Sequence, residues 1–157
     1  MVKTLLCSLL LFLALPASGE RLLVPMDLEQ RDHLKAYGLA FWTLERGIAV
    51  EWLLNYRGGA FMLDYHAAVA REAQIRGVDA VVVSEAQAAR MYADMDAGNM
   101  EVVLLEKAPK IAVYTPPNKQ PWDDAVTMAL EYAQIGYDKI WDEEVLKGKL
   151  KDYDWLH

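Results

Sequence analysis

The stretch that decides the fold is "KIAVYTPPNKQPWDDAVTMALEYAQIGYDKIWDEEVLKGKLKDYDWLH", Lys110 to His157. Ile111–Tyr114 is a short β-branched and aromatic run, which reads as a strand. A loop with three prolines follows, and then a helix predicted from about Pro121 to Ile135. Ala125, Ala129 and Ala133 give that helix a small-residue face, expected to pack closely on a sheet. "YDKIW" reads as a second strand and "DEEVLKG" as a short helix capped by Asp142. "YDWLH" reads as a third strand, with Tyr153, Trp155 and Leu156 buried. Strand, helix, strand, helix, strand with short links is the opening of a doubly wound parallel sheet. Such sheets are covered on both faces. Three strands at the end of the chain are therefore expected to be the start of a larger sheet, and the chain the front part of a longer protein.

Upstream, "KAPK" breaks the pattern, and Pro109 marks an expected boundary between two units, 20–108 and 109–157. The first unit reads as mixed helix and strand, α+β or α/β. "RLLVPMD" is an expected strand, with Asp27 capping the next helix and Gln30 completing a capping box. Leu34, Tyr37, Phe41 and Leu44 recur at helical spacing. Val50, Trp52, Leu54 and Tyr56 alternate, "RGG" turns the chain, and Phe61 and Leu63 continue, which is a β-hairpin. "HAAVAREAQIRG" is a helix, "VDAVVV" a buried strand, and "SEAQ" a second capping box from Ser84 to Gln87. "MEVVLLE" is the last strand of this unit. Gly47, Gly77, Gly98, Gly136 and Gly148 stand where helices end and a left-handed residue is wanted. Gly38 alone lies inside a helical pattern, and marks an expected close helix contact.

Residues 1–19, "MVKTLLCSLLLFLALPASG", read as a signal peptide. Lys3 is the positive region, Leu5–Leu15 the apolar run, and Ala17-Ser18-Gly19 the small residues before cleavage. The expectation is an exported protein, periplasmic or extracellular, without a membrane anchor after cleavage. Removing Lys3 leaves 15 basic against 23 acidic side chains, a net −8. That balance argues against nucleic acid, which demands clustered Lys and Arg. It argues equally against an anionic membrane surface.

The chain from Glu20 has no cysteine and one serine, Ser84, which reads as a cap. No catalytic nucleophile is assigned. His33 and His66 stand without a second ligand at metal spacing, so no metal site is assigned. Neither a dinucleotide fingerprint nor a P-loop occurs, and no cofactor is expected. The candidate ligand-binding residues lie at the carboxyl edge of the parallel strands, where α/β sheets bind ligands. They are Asn118, Lys119 and Trp122 in the proline-rich loop and His157 at the end of the third strand. Asp123 and Asp124 place negative charge where a phosphate would sit. The expected partner is a small molecule or peptide.

"LKAYG", "NYRGG", "KIAVY" and "PWDDAV", with their surroundings, resemble a family of exported bacterial proteins often labelled asparagine synthetase B. The resemblance covers nearly all of the chain after the leader. It implies that the second unit begins a flavodoxin-like, class I glutamine amidotransferase-like domain. It also implies that the cysteine of that domain follows the Trp-Leu-His run. Asparagine synthetases of the amidotransferase kind carry an N-terminal cysteine and an S-G-G-x-D-S pyrophosphate loop, and this sequence contains neither.

Overall fold

The computed structural model describes residues 19–157. The signal-peptide reading falls on residues 1–18 and lies outside the described residues. Among the described residues, two sheets and five α-helices make up a mixed α/β fold. No described helix is long and apolar enough to cross a membrane.

The first sheet combines β1 (Glu20–Val24), β2 (Val50–Leu54), β3 (Ala60–Asp64), β4 (Val81–Ser84) and β5 (Glu101–Leu105). Its order is β4-β1-β3-β2-β5, and every neighbouring pair is antiparallel. Residues on alternate sides of the pleat feed two cores. Leu22, Val24, Val50, Phe61 and Leu63 pack beneath α1 (His33–Glu45) and α2 (Ala67–Arg76). Leu23, Leu53, Ala60, Met62 and Val83 face α3 (Glu85–Asp96) through Ala88 and Met95. The hairpin between β2 and β3 forms as read. Its turn places Asn55, Arg57, Gly58 and Gly59 at positive φ. At Gly58 a Cβ would lie 2.2 Å from the Met26 carbonyl oxygen, so only glycine fits.

The second sheet holds β6 (Ile111–Tyr114), β7 (Asp138–Ile140) and β8 (Trp155–Leu156). All are parallel, in the order β7-β6-β8. A 3-10 turn at Pro121–Asp123 leads into α4 (Ala125–Ala133). After β7 come α5 (Asp142–Leu146) and a second 3-10 turn, Lys149–Asp152.

The two sheets are joined by helices. Phe41 of α1 shares one apolar cluster with Ile111, Val113 and Leu130. Gly38 of α1 meets Ala133 of α4 so closely that an added Cβ would stand 1.8 Å from the Ala133 oxygen. The buried Arg76 guanidinium, from α2, donates to that same carbonyl at 3.2 Å. The Tyr132 hydroxyl donates to Asp32 at 2.6 Å. The close contact expected at Gly38 is thus a helix–helix seam.

Several local expectations are corrected. Helix α1 is capped by Asp32, which accepts from the Lys35 amide at 3.0 Å. Asp27 instead accepts from the Glu29 amide and pairs with Arg57. Gln30 is drawn inward, where it donates to the Pro25 and Asp79 carbonyls and accepts from the Asp79 amide. A buried amide satisfied on three sides outweighs a solvent-exposed capping box. The small-residue face of α4 does not lie on a sheet as a unit. Ala133 meets α1, while Ala125 is exposed and Leu130 covers β6. Strand β4 is an edge strand with Val81 and Val82 about half exposed, not a buried one. Residue β8's neighbours Tyr153 and His157 lie outside its two strand residues, and Trp155 and Leu156 are 44% and 47% exposed. A strand paired on one side only leaves its side chains partly open. Gly47, Gly77 and Gly148 take positive φ, but Gly98 and Gly136 do not; α4 ends on Gln134 at φ 58° instead. Helix α5 starts at Asp142 with Trp141 as its cap residue, whose amide donates to Glu144 at 3.0 Å. Asp142 is released to accept from the Tyr114 hydroxyl.

Candidate functional site

A cleft of about 220 Å³ opens at the carboxyl ends of the parallel strands. The register there is continuous. The His157 amide donates to the Ala112 carbonyl at 2.9 Å, and the Tyr114 amide to the His157 carbonyl at 2.8 Å. On the other side the Thr115 amide reaches the Ile140 carbonyl at 3.0 Å. Three strand ends therefore finish side by side, with Lys139 and His157 flanking Val113, the residue before Tyr114. The loop after β6 closes the cleft from above. Pro116 accepts from the Lys119 amide, and Asp123 accepts from the Gln120 amide at 3.2 Å.

Asp124 is the pivot of the site. One carboxylate oxygen caps α4, accepting from the amides of Val126 at 2.7 Å and Thr127 at 2.9 Å. The other faces Nε2 of His157 at 3.3 Å. Because a carboxylate only accepts, that ring nitrogen is the donor. The amide of Thr127 first, and then the His157 ring, hold the Asp124 carboxyl below its ordinary range. Lys119 lies 3.8 Å from Asp123, and Lys139 Nζ donates to the Lys119 carbonyl at 2.7 Å. The Tyr114 ring stacks on Trp141 with centroids 4.7 Å apart, and its hydroxyl donates to Asp142 at 2.6 Å. That bond raises the Tyr114 phenol above its usual value.

Of the residues singled out from sequence, Lys119 and His157 line this cleft. Asn118 and Trp122 do not. Both are exposed, Asn118 in the loop after β6 and Trp122, to 70%, in the 3-10 turn at Pro121–Asp123. Tyr114, Gln120, Thr127 and Lys139 also wall the cleft without any local sequence signal, and Asp124, in sequence a complement to the helix dipole, bonds His157 as well. Lys139 was hidden inside a strand; only the parallel register pairing Val113 with Lys139 brings it to the edge.

The chemistry on offer is recognition of a polar group. The walls carry two lysines, two aspartates, an imidazole and a phenol, already organised by mutual contacts. Ser84 caps α3 in the first sheet's unit, its hydroxyl accepting from Gln87 while Gln87 returns a bond to the Ser84 amide. The cap at Ser84 is the one the sequence predicts. His33 sits with Nε2 at 3.1 Å from the carbonyls of Met26 and Asp27, a satisfied histidine donating into a loop. Among the described residues no group of three or more His, Cys, Asp or Glu converges to hold a metal ion.

A larger cleft of about 530 Å³ lies between the two sheets, walled by Tyr37, Phe41, Trp52, Phe61, Leu104 and Trp155 among others. Its lining is mostly apolar, with Glu106 and Lys107 as its charged members. Size alone would favour it. The smaller cleft is the better candidate because ionisable side chains from separate elements converge there, at the carboxyl edge of a parallel sheet. A scan against family models and searches of curated proteins and of solved structures found no match to this chain.

Proposed function

We propose that this chain is the N-terminal part of an exported amidotransferase-like or hydrolase-like protein and that it contributes the cleft at the strand ends to small-ligand binding. The observation that carries the reading is the parallel order β7-β6-β8, with the first strand of the unit in the middle and charged residues gathered at its carboxyl end. A central first strand flanked by the second and third is how a flavodoxin-like sheet begins, with ligands at the carboxyl edge. The resemblance at "KIAVY" and "PWDDAV" falls on this strand and on the turn into α4. In this reading residues 20–108 are an accessory unit, and the cysteine implied by the resemblance supplies the nucleophile.

The test is amide hydrolysis by the gene product, exported in its host, as wild type and with that cysteine changed to serine. Loss of turnover in the serine variant supports the reading; equal turnover rejects the catalytic part of it.

A second reading is a non-catalytic binding module of the periplasm or exterior. It is favoured by the fact that the His157 ring nitrogen facing the cleft already bonds Asp124, in the manner of a fixed recognition group. Ligand binding without turnover would select it. The third, ATP-dependent asparagine synthesis, requires nucleotide binding; the cleft offers Asp123 and Asp124 at the helix start where phosphates would need amides. Calorimetry with ATP is expected to show no binding.

A further inference from the structure

The charges in the strand-end cleft are not evenly matched. Lys119 stands 3.8 Å from Asp123, and His157 stands 3.3 Å from Asp124. Lys139 has no such partner: among the described residues no carboxylate lies within 4.0 Å of its Nζ. Its one hydrogen bond goes to the backbone carbonyl of Lys119, at 2.7 Å. That bond crosses from β7 to the loop after β6 and holds the ammonium at the mouth of the cleft. An ammonium has three donors, so two remain for a ligand. The helix start contributes no competing anion site, because Asp124 already accepts from the Val126 and Thr127 amides.

Resting on the reading that this cleft binds a small ligand, we propose that the ligand is an organic monocarboxylate whose carboxylate sits on Lys139. One cation calls for an anion, and the carboxylates of Asp123 and Asp124 in the same walls disfavour a dianion such as phosphate. The body of the ligand would lie along Tyr114 and Thr115 at the end of β6.

The test is titration of the chain with propionate, propionamide and inorganic phosphate, followed by the amide resonances of Val113, Tyr114, Thr115, Asn118, Lys119, Lys139 and His157. Propionate is expected to shift them most strongly. Lys139→Met, which keeps the stem and removes the charge, is expected to weaken propionate by about tenfold or more, as a lost charge-assisted hydrogen bond would. Lys139→Arg is expected to retain it. Lys139 is exposed, and an unchanged melting temperature of the Met variant confirms its fold. Propionate binding unaffected by Lys139→Met, or propionamide or phosphate binding more tightly than propionate, overturns the proposal while leaving the cleft a ligand site. Failure of all three probes to shift these resonances overturns the site itself.

Discussion

Replacing Gly38 by alanine tests the seam that joins the two sheets. In an isolated helix the change is favourable by about 1 kcal/mol, since alanine is the better helix former. In this fold the new Cβ would stand 1.8 Å from the Ala133 oxygen and 2.9 Å from its carbonyl carbon. Ordinary contact begins at 3.4 Å, so α1 and α4 must separate by more than an ångström. Both nearest atoms are backbone, and no side-chain rotation relieves them. Separation also lengthens the 3.2 Å bond from Arg76 to the same carbonyl and loosens Phe41 against Leu130. Overpacking costs about 1–3 kcal/mol, and a stranded buried donor about 1–3 kcal/mol more. After the gain in helix propensity, the expected net loss is about 1–5 kcal/mol. For a chain of this size that lowers the melting temperature by roughly 2–20 °C. Thermal and urea unfolding followed by circular dichroism would measure it. A Gly38→Ala protein as stable as wild type, or more stable, would show that α1 and α4 are not in contact and that the union of the two sheets is wrong.

Asp124→Asn should flatten the acid limb of the stability curve. The wild-type carboxyl is depressed, so its contribution is complete above the ordinary value of 3.8 and is lost as pH falls through the lower folded value. Melting temperatures from pH 6 down to pH 2 should converge between the two proteins, and parallel curves would refute the assignment. Tyr92→Phe should destabilise by about 1–2 kcal/mol, read by urea unfolding, because the hydroxyl and Arg21 share one oxygen of Glu51 beneath α3. Burial first, and then Glu51, raise the Tyr92 phenol far above its ordinary value, so alkaline titration of the wild type should lose one late tyrosine in the variant. Ser84→Ala should cost about 1 kcal/mol by loss of the α3 cap, with Ser84→Asp nearly neutral, measured the same way.

Much of the architecture is legible in residue order. The hairpin at "NYRGG", the Ser84–Gln87 capping box and the strand–helix–strand rhythm after Pro109 all appear in the structure. These are local devices: a turn that demands positive φ, a side chain that reaches three residues on, an apolar period. Gly38 was conspicuous for the same reason, as a helix residue with a local cost and no local gain.

Pairing and proximity were not legible, because they depend on which strands meet. That the first sheet is wholly antiparallel and places β1 between β3 and β4 follows from side-chain burial on two faces at once. The candidate site shows the same limit. His157 and Lys119 could be picked out from their place at strand ends, but the loop turn that sends Trp122 into solvent could not. Lys139 reads in sequence as a strand residue and nothing more, and Asp124 as a helix-start acid. Only the parallel register of β7 and β8 against β6 sets a lysine and a histidine on either side of Val113, with the histidine within reach of the Asp124 carboxylate at the start of α4. Local order is written in neighbours along the chain, whereas a site is made of residues far apart in it, brought together by the burial of side chains that take no part in the chemistry.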